Sequence, residues 1–131
     1  MKHEQFCRKH RITATAVQVE ENPNMADMPG GSYYWKVTLR HPAPDARKMN
    51  VNFSMGPALT HTPQAHEVLA CLCSDSASVD NARDFEDWAG DFGWDTDSRK
   101  ALRCYNACVR QAEQLRAFLG HLYNAALRCE E

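Results

Sequence analysis

Nothing in the 131-residue chain has the form of an assembled catalytic motif. It contains no G-x-S-x-G elbow, no Walker A loop and no G-x-G-x-x-G turn, and His66-Glu67 lacks the second histidine that H-E-x-x-H requires. With no nucleophile–base pair or ligand set in view, an enzyme is not expected, and no catalytic residue or cofactor is assigned. No apolar run approaches the ~20 residues of a membrane-spanning helix. The opening MKHEQFCRKHR is charged but has no apolar segment behind it, so an export signal is not expected and the cytoplasm is the expected location.

Cysteine is present, six residues in all, but not in a zinc-knuckle pattern. Cys71-x-Cys73 and Cys104-x₃-Cys108 both depart from C-x₂-C, and in a cytoplasmic chain buried, reduced thiols acting as small hydrophobes are the favoured state. A zinc-stabilised module on Cys71, Cys73, Cys104 and Cys108 is the alternative that this spacing argues against. Calcium fares no better. Counting a twelve-residue loop from Asp91 puts Trp94, Thr96 and Leu102 where an EF-hand needs other residues.

What is there reads as one domain, 1–131. A hydrophobic content of 44% and a charged content of 24% are ordinary for a globular chain, and a chain this long can bury a core unaided. The net charge of −2 conceals an asymmetry. From His61 to Ser98 the acids Glu67, Asp75, Asp80, Asp84, Glu86, Asp87, Asp91, Asp95 and Asp97 face Arg83 alone. From Arg99 onwards arginine and lysine predominate. Such asymmetry speaks to partners rather than to fold.

The first eleven residues are polar and basic around Phe6, a short helix or a frayed end. Ile12–Glu20, Tyr33–Arg40 and Lys48–Met55 each alternate, and each predicts a strand with one apolar and one polar face. Glu21–Ser32, rich in proline and glycine, predicts a long hairpin loop. Pro42 and Pro44 break the second strand and Gly56-Pro57 the third. The sheet spans 12–55 and the helical part 62–131. Thr62-Pro63 predicts a helix start, with Ala65, Val68, Leu69 and Leu72 inward and SDSAS ending it. A short helix after Asp80 turns Phe85, Trp88 and Ala89 inward and stops at Gly90. A long helix starts near Asp97 or Ser98, with Leu102, Tyr105, Val109, Ala112, Leu115, Leu119 and Leu122 as its stripe and Gly120 as its end or kink. The expected fold class is α+β, a three-stranded antiparallel sheet with two to three helices packed on one face.

Two surfaces stand out. Asp84, Glu86, Asp87, Asp91, Phe92, Trp94, Asp95 and Asp97 interleave carboxylates with aromatics, which predicts a partner-binding face that resembles nucleic-acid charge. Lys36, Arg40 and Lys48 on the polar sheet face, with Arg99, Lys100 and Arg103 on the long helix, would instead suit nucleic acid.

The string from Ser74 to Gly120, with its core Trp88-Ala-Gly-Asp-Phe-Gly93-Trp-Asp95-Thr96-Asp97-Ser98-Arg99-Lys100, resembles a segment of small proteins encoded by tailed phages and prophages. Lys48–Leu72 is similar to the strand and first helix of the same group. The resemblance implies origin rather than chemistry. It implies a bacterial host cell and a host protein or ribonucleoprotein complex as partner, as for inhibitors of host defence including anti-CRISPR proteins. An accessory role in phage replication or recombination is the alternative.

Overall fold

The computed structural model describes residues 1–20, 33–42, 47–53 and 61–130. The element order is α1 (His3–His10), β1 (Thr13–Glu20), β2 (Tyr33–His41), β3 (Arg47–Phe53), α2 (Ala65–Asp80), α3 (Phe85–Asp91) and α4 (Arg99–Leu119), then a 3-10 turn (Gly120–Leu122) and α5 (Tyr123–Leu127). This is an α+β fold with a three-stranded antiparallel sheet in the order β1-β2-β3. Among the described residues, no helix is long and apolar enough to cross a membrane. The expected loop at Glu21–Ser32, Pro44, the strand end at Ser54 and Met55 and the break at Gly56-Pro57 lie outside the described residues.

The chain divides into two compact units, Met1–Val68 and Leu69–Glu131, with the boundary inside α2. In the first unit, residues 3–10 are helical rather than frayed. The Lys2 N–H donates to Gln5 Oε1 at 3.1 Å, and the Phe6 ring meets His10 one turn later at a tilt of 56°, 4.6 Å between centres. The helix closes without glycine. Arg11 takes the left-handed conformation, φ 55° and ψ 39°, and the Ile12 N–H reaches back to the Cys7 carbonyl at 2.9 Å, the closure usually reserved for Gly or Asn.

The sheet follows from alternation. Leu39 pairs with Ala14 on one side and Met49 on the other, and Val37 with Ala16 and Val51. Val37, Leu39, Met49 and Phe53 are buried. The opposite face carries Thr13, Thr15 and Val17, then Lys36, Thr38 and Arg40, then Lys48, Asn50 and Asn52, each row in cross-strand register. Hydrogen bonds knit these rows, Thr38 Oγ1 to Asn50 Oδ1 at 2.8 Å and Arg40 Nη1 to Thr15 Oγ1 at 2.9 Å.

Two expected boundaries of α2 are corrected. It starts at Ala65, not Pro63, because Glu67 supplies the cap. The Glu67 carboxylate accepts from the Gln64 N–H at 3.1 Å and meets His61 Nε2 at 3.0 Å. Burial opposes its ionisation, yet the Gln64 N–H and His61 hold the carboxyl below its ordinary value. Nor does SDSAS end the helix, which runs on to Asp80. Leu69, Leu72, Cys73 and Ser76 are buried at helical spacing, and Ser78 satisfies its hydroxyl on the Asp75 carbonyl at 2.6 Å. Packing of that stripe overrides the weak helix propensity of serine.

In the second unit, Asp80 joins three helices. Its carboxylate accepts from Arg116 on α4 and from the Tyr123 hydroxyl on α5, the latter at 2.6 Å. The Arg116 guanidinium lies 4.9 Å from the centre of the Tyr123 ring. Burial, and then the bond to Asp80, push the Tyr123 phenol up to about 12. Around this node the core of the unit is Leu69, Leu72, Trp88, Ala89, Ala101, Ala112, Leu115, Phe118, Leu119, Tyr123 and Ala126.

Candidate binding face

The acidic-aromatic segment is an ordered structure held by its own carboxylates. Asp84 caps α3, Oδ1 accepting from the Asp87 N–H at 2.9 Å. Asp87 reciprocates, Oδ2 accepting from the Arg83 N–H at 3.1 Å, with the Arg83 guanidinium 3.6 Å from its other oxygen. Negative charge at this end of the helix is also favoured by the dipole. The expected stop at Gly90 is corrected. Gly90 is helical, and Gly93 takes the positive φ of 71°. The Trp94 N–H then returns to the Ala89 carbonyl at 2.8 Å.

The start of α4 follows a similar logic. Asp95 Oδ1 accepts from the Asp97 N–H at 3.0 Å, forming the preceding turn. The cap itself is Ser98, whose Oγ accepts from the Ala101 N–H at 3.2 Å. Neither Asp95 nor Asp97 is therefore the cap of the long helix.

Trp88 organises the aromatics. It is buried, its indole N–H donates to Ser78 Oγ at 3.3 Å, and its ring lies 5.0 Å from Phe92 and 5.5 Å from Tyr105. Phe85 closes the group edge-on to Tyr105 at 5.5 Å. Phe92 sits at the outside of this stack, 56% exposed. A large aromatic side chain exposed in this way, seated on a buried tryptophan, is what a partner would cover.

Of the eight residues expected to form the face, Asp84, Asp87 and Asp95 thus serve local turns. Glu86, Asp91 and Asp97 are exposed, and among the described residues their carboxylates have no hydrogen-bond or ion-pair partner. Trp94 is half-buried and Phe92 exposed. Leu102 corrects the expected stripe of α4. It is 43% exposed, whereas Ala101 beside it is buried. The residue precedes Tyr105 by three positions on α4. Numbering the helix from the Ser98 cap, with about 100° per residue, would have separated Leu102 from the stripe through Ala101, Ala112 and Leu115.

The cationic alternative divides between the two units. Lys36, Arg40 and Lys48 are exposed on one sheet face, with Arg40 and Lys48 directly paired. Arg99, Lys100 and Arg103 are exposed at the start of α4. Among the described residues no three His, Cys, Asp or Glu side chains gather as ligands. Cys71 is exposed while Cys73 is buried, since neighbours two apart on a helix point about 200° apart. Burial, Asp75 and Cys104 push the Cys108 thiol up, the opposite of what a reactive thiolate needs. The chain matches no family model, no curated protein and no solved structure.

Proposed function

We propose that this chain is a non-enzymatic binding protein that docks on a host macromolecular complex through the face built on α3 and the turn after it. The observation that carries this reading is Phe92, 56% exposed on a buried Trp88 and accompanied by the exposed carboxylates Glu86, Asp91 and Asp97. An aromatic anchor with an acidic rim complements a basic groove, and long-range attraction between the two raises the association rate. Nucleic-acid-handling complexes present such grooves. The resemblance of Ser74–Gly120 to phage and prophage proteins supports a defence complex of the bacterial host, such as a CRISPR effector, as the target.

The test is capture of partners from nuclease-treated host lysate by wild type and by Glu86→Lys/Asp91→Lys/Asp97→Lys. A defined complex retained by the first and lost by the second supports the proposal; equal retention refutes it. A second reading, a nucleic-acid-binding accessory protein, is favoured by Lys36, Arg40 and Lys48 sharing one exposed sheet face. It predicts affinity for DNA or RNA that falls steeply with salt.

A further inference from the structure

The first unit contains a cavity of about 480 Å³ at the end of the sheet where β2 leaves and β3 enters. Arg11, Thr13, Arg40, Pro42, Arg47 and Lys48 are among its lining residues. Pairing explains the convergence, since Thr13 opposes Arg40, Arg40 opposes Lys48, and Arg47 precedes Lys48 on β3. Arg11 is added by the left-handed turn that ends α1. None of the described lining residues is acidic. The side chains of Arg11 and Lys48 have no ion-pair partner among the described residues.

The unpaired charges of Arg11 and Lys48 converge with Arg40 on one concavity and repel one another, and an anion relieves that repulsion. Guanidinium groups match phosphate oxygens with paired donors. The volume lies within the usual range for an organic ligand and exceeds what a bare inorganic anion fills. The alkyl stems of the arginines and the ring of Pro42 offer apolar wall, and a guanidinium plane can stack on a base.

We propose that this cavity binds a nucleotide phosphate, either of a mononucleotide or of the 5′ end of a nucleic-acid strand. It lies apart in sequence from the α3 face and does not depend on it. It shares Arg40 and Lys48 with the cationic sheet face but does not require a strand to track across that face.

The experiment is titration of the full chain with AMP, with 5′-phosphorylated oligo-dT and with the same strand lacking the phosphate, followed by ¹⁵N chemical shifts including the arginine side chains. Saturable shifts at Arg11, Arg40 and Arg47 are expected, with affinity at least tenfold weaker in Arg11→Gly and Lys48→Gln and unchanged in Arg8→Gln, a residue paired with Glu4 outside the cavity. Arg11→Gly suits its backbone conformation, so its loss of affinity would not reflect unfolding. Tighter binding of the phosphorylated strand than of AMP supports the strand end as the source, and equal binding supports the mononucleotide. Absence of saturable shifts with all three probes, unchanged affinity in both variants, or equal binding of the strand without its phosphate would overturn the proposal.

Discussion

Replacing Asp80 with alanine removes one carboxylate that serves two donors, and the two losses differ in size. Tyr123 is 6% exposed, so its hydroxyl would lose its charged acceptor and keep only the Ser76 hydroxyl beside it, which costs ~1–3 kcal/mol. The Arg116 side chain is 50% exposed and that of Asp80 24%, so this ion pair adds only ~0–1 kcal/mol. The expected total for Asp80→Ala is therefore roughly 2–3 kcal/mol, against about 1 kcal/mol for Tyr123→Phe and less for Arg116→Gln. The double variant Asp80→Ala/Tyr123→Phe no longer contains the hydroxyl that has lost its carboxylate. It should be more stable than the sum of the single effects allows by about 1 kcal/mol or more. Urea unfolding followed by tryptophan fluorescence, with near-UV circular dichroism as a second probe, measures each step. Strict additivity, or a loss below about 0.5 kcal/mol for Asp80→Ala, would refute the assignment of this node as a tie between helices.

The same node predicts an alkaline effect, for the Tyr123 phenol is raised from 10.0 to about 12 in the folded chain. A raised acid stabilises the fold fully below the unfolded value and loses that contribution as pH climbs through the folded one, so stability should fall between pH 10 and about 12 by up to roughly 2–3 kcal/mol. Tyr123→Phe should flatten that fall in urea titrations across this window; an unaltered slope would count against it. Gly90→Ala should stabilise by ~0.5–1 kcal/mol, because the position is helical and an added Cβ meets nothing within 4 Å. Gly93→Ala should cost ~1–2 kcal/mol, because φ is +71° there; thermal melts that order the two the other way would contradict the assigned turn. Cys108, its thiol raised by burial, Asp75 and Cys104, should alkylate more slowly at neutral pH than exposed Cys71, as peptide mapping after iodoacetamide would report.

The sheet was legible because alternation is a local property. Val37, Leu39, Met49 and Phe53 mark the buried face, and Lys36, Arg40 and Lys48 the exposed one, in a pattern that any period-two reading recovers. Caps were legible only in kind. The run Asp95–Ser98 offers several oxygen acceptors, and which of them meets the Ala101 N–H depends on a turn that sequence does not reveal; Ser98 does so while Asp95 closes the turn before it. Gly90 and Gly93 pose the same difficulty, since either could end α3 and only the length of the helix decides. The passage of α2 through SDSAS was not legible, because burial of Cys73 and Ser76 outweighs the local preference of serine and aspartate for turns.

Of the candidate face, the aromatic and acidic composition was visible beforehand, but the division of labour was not. Asp84, Asp87 and Asp95 are spent on turns, which leaves Glu86, Asp91 and Asp97 with exposed carboxylates not engaged in turns. The apolar period alone places Leu102 in the core stripe, whereas its side chain is exposed. The cationic cavity was invisible for a different reason. Its residues come from the end of α1, the end of β2 and the start of β3, and strand register together with the left-handed Arg11 brings them together.

The most direct test of the binding face compares the affinity of the captured host complex for wild type and for Glu86→Lys/Asp91→Lys/Asp97→Lys, at low and high salt, with thermal melts of both proteins as the control. The account predicts matching melts, an affinity for the variant at least a hundredfold weaker at low salt, and a difference that narrows as salt screens the charges. Equal affinities at low salt with matching melts would contradict it.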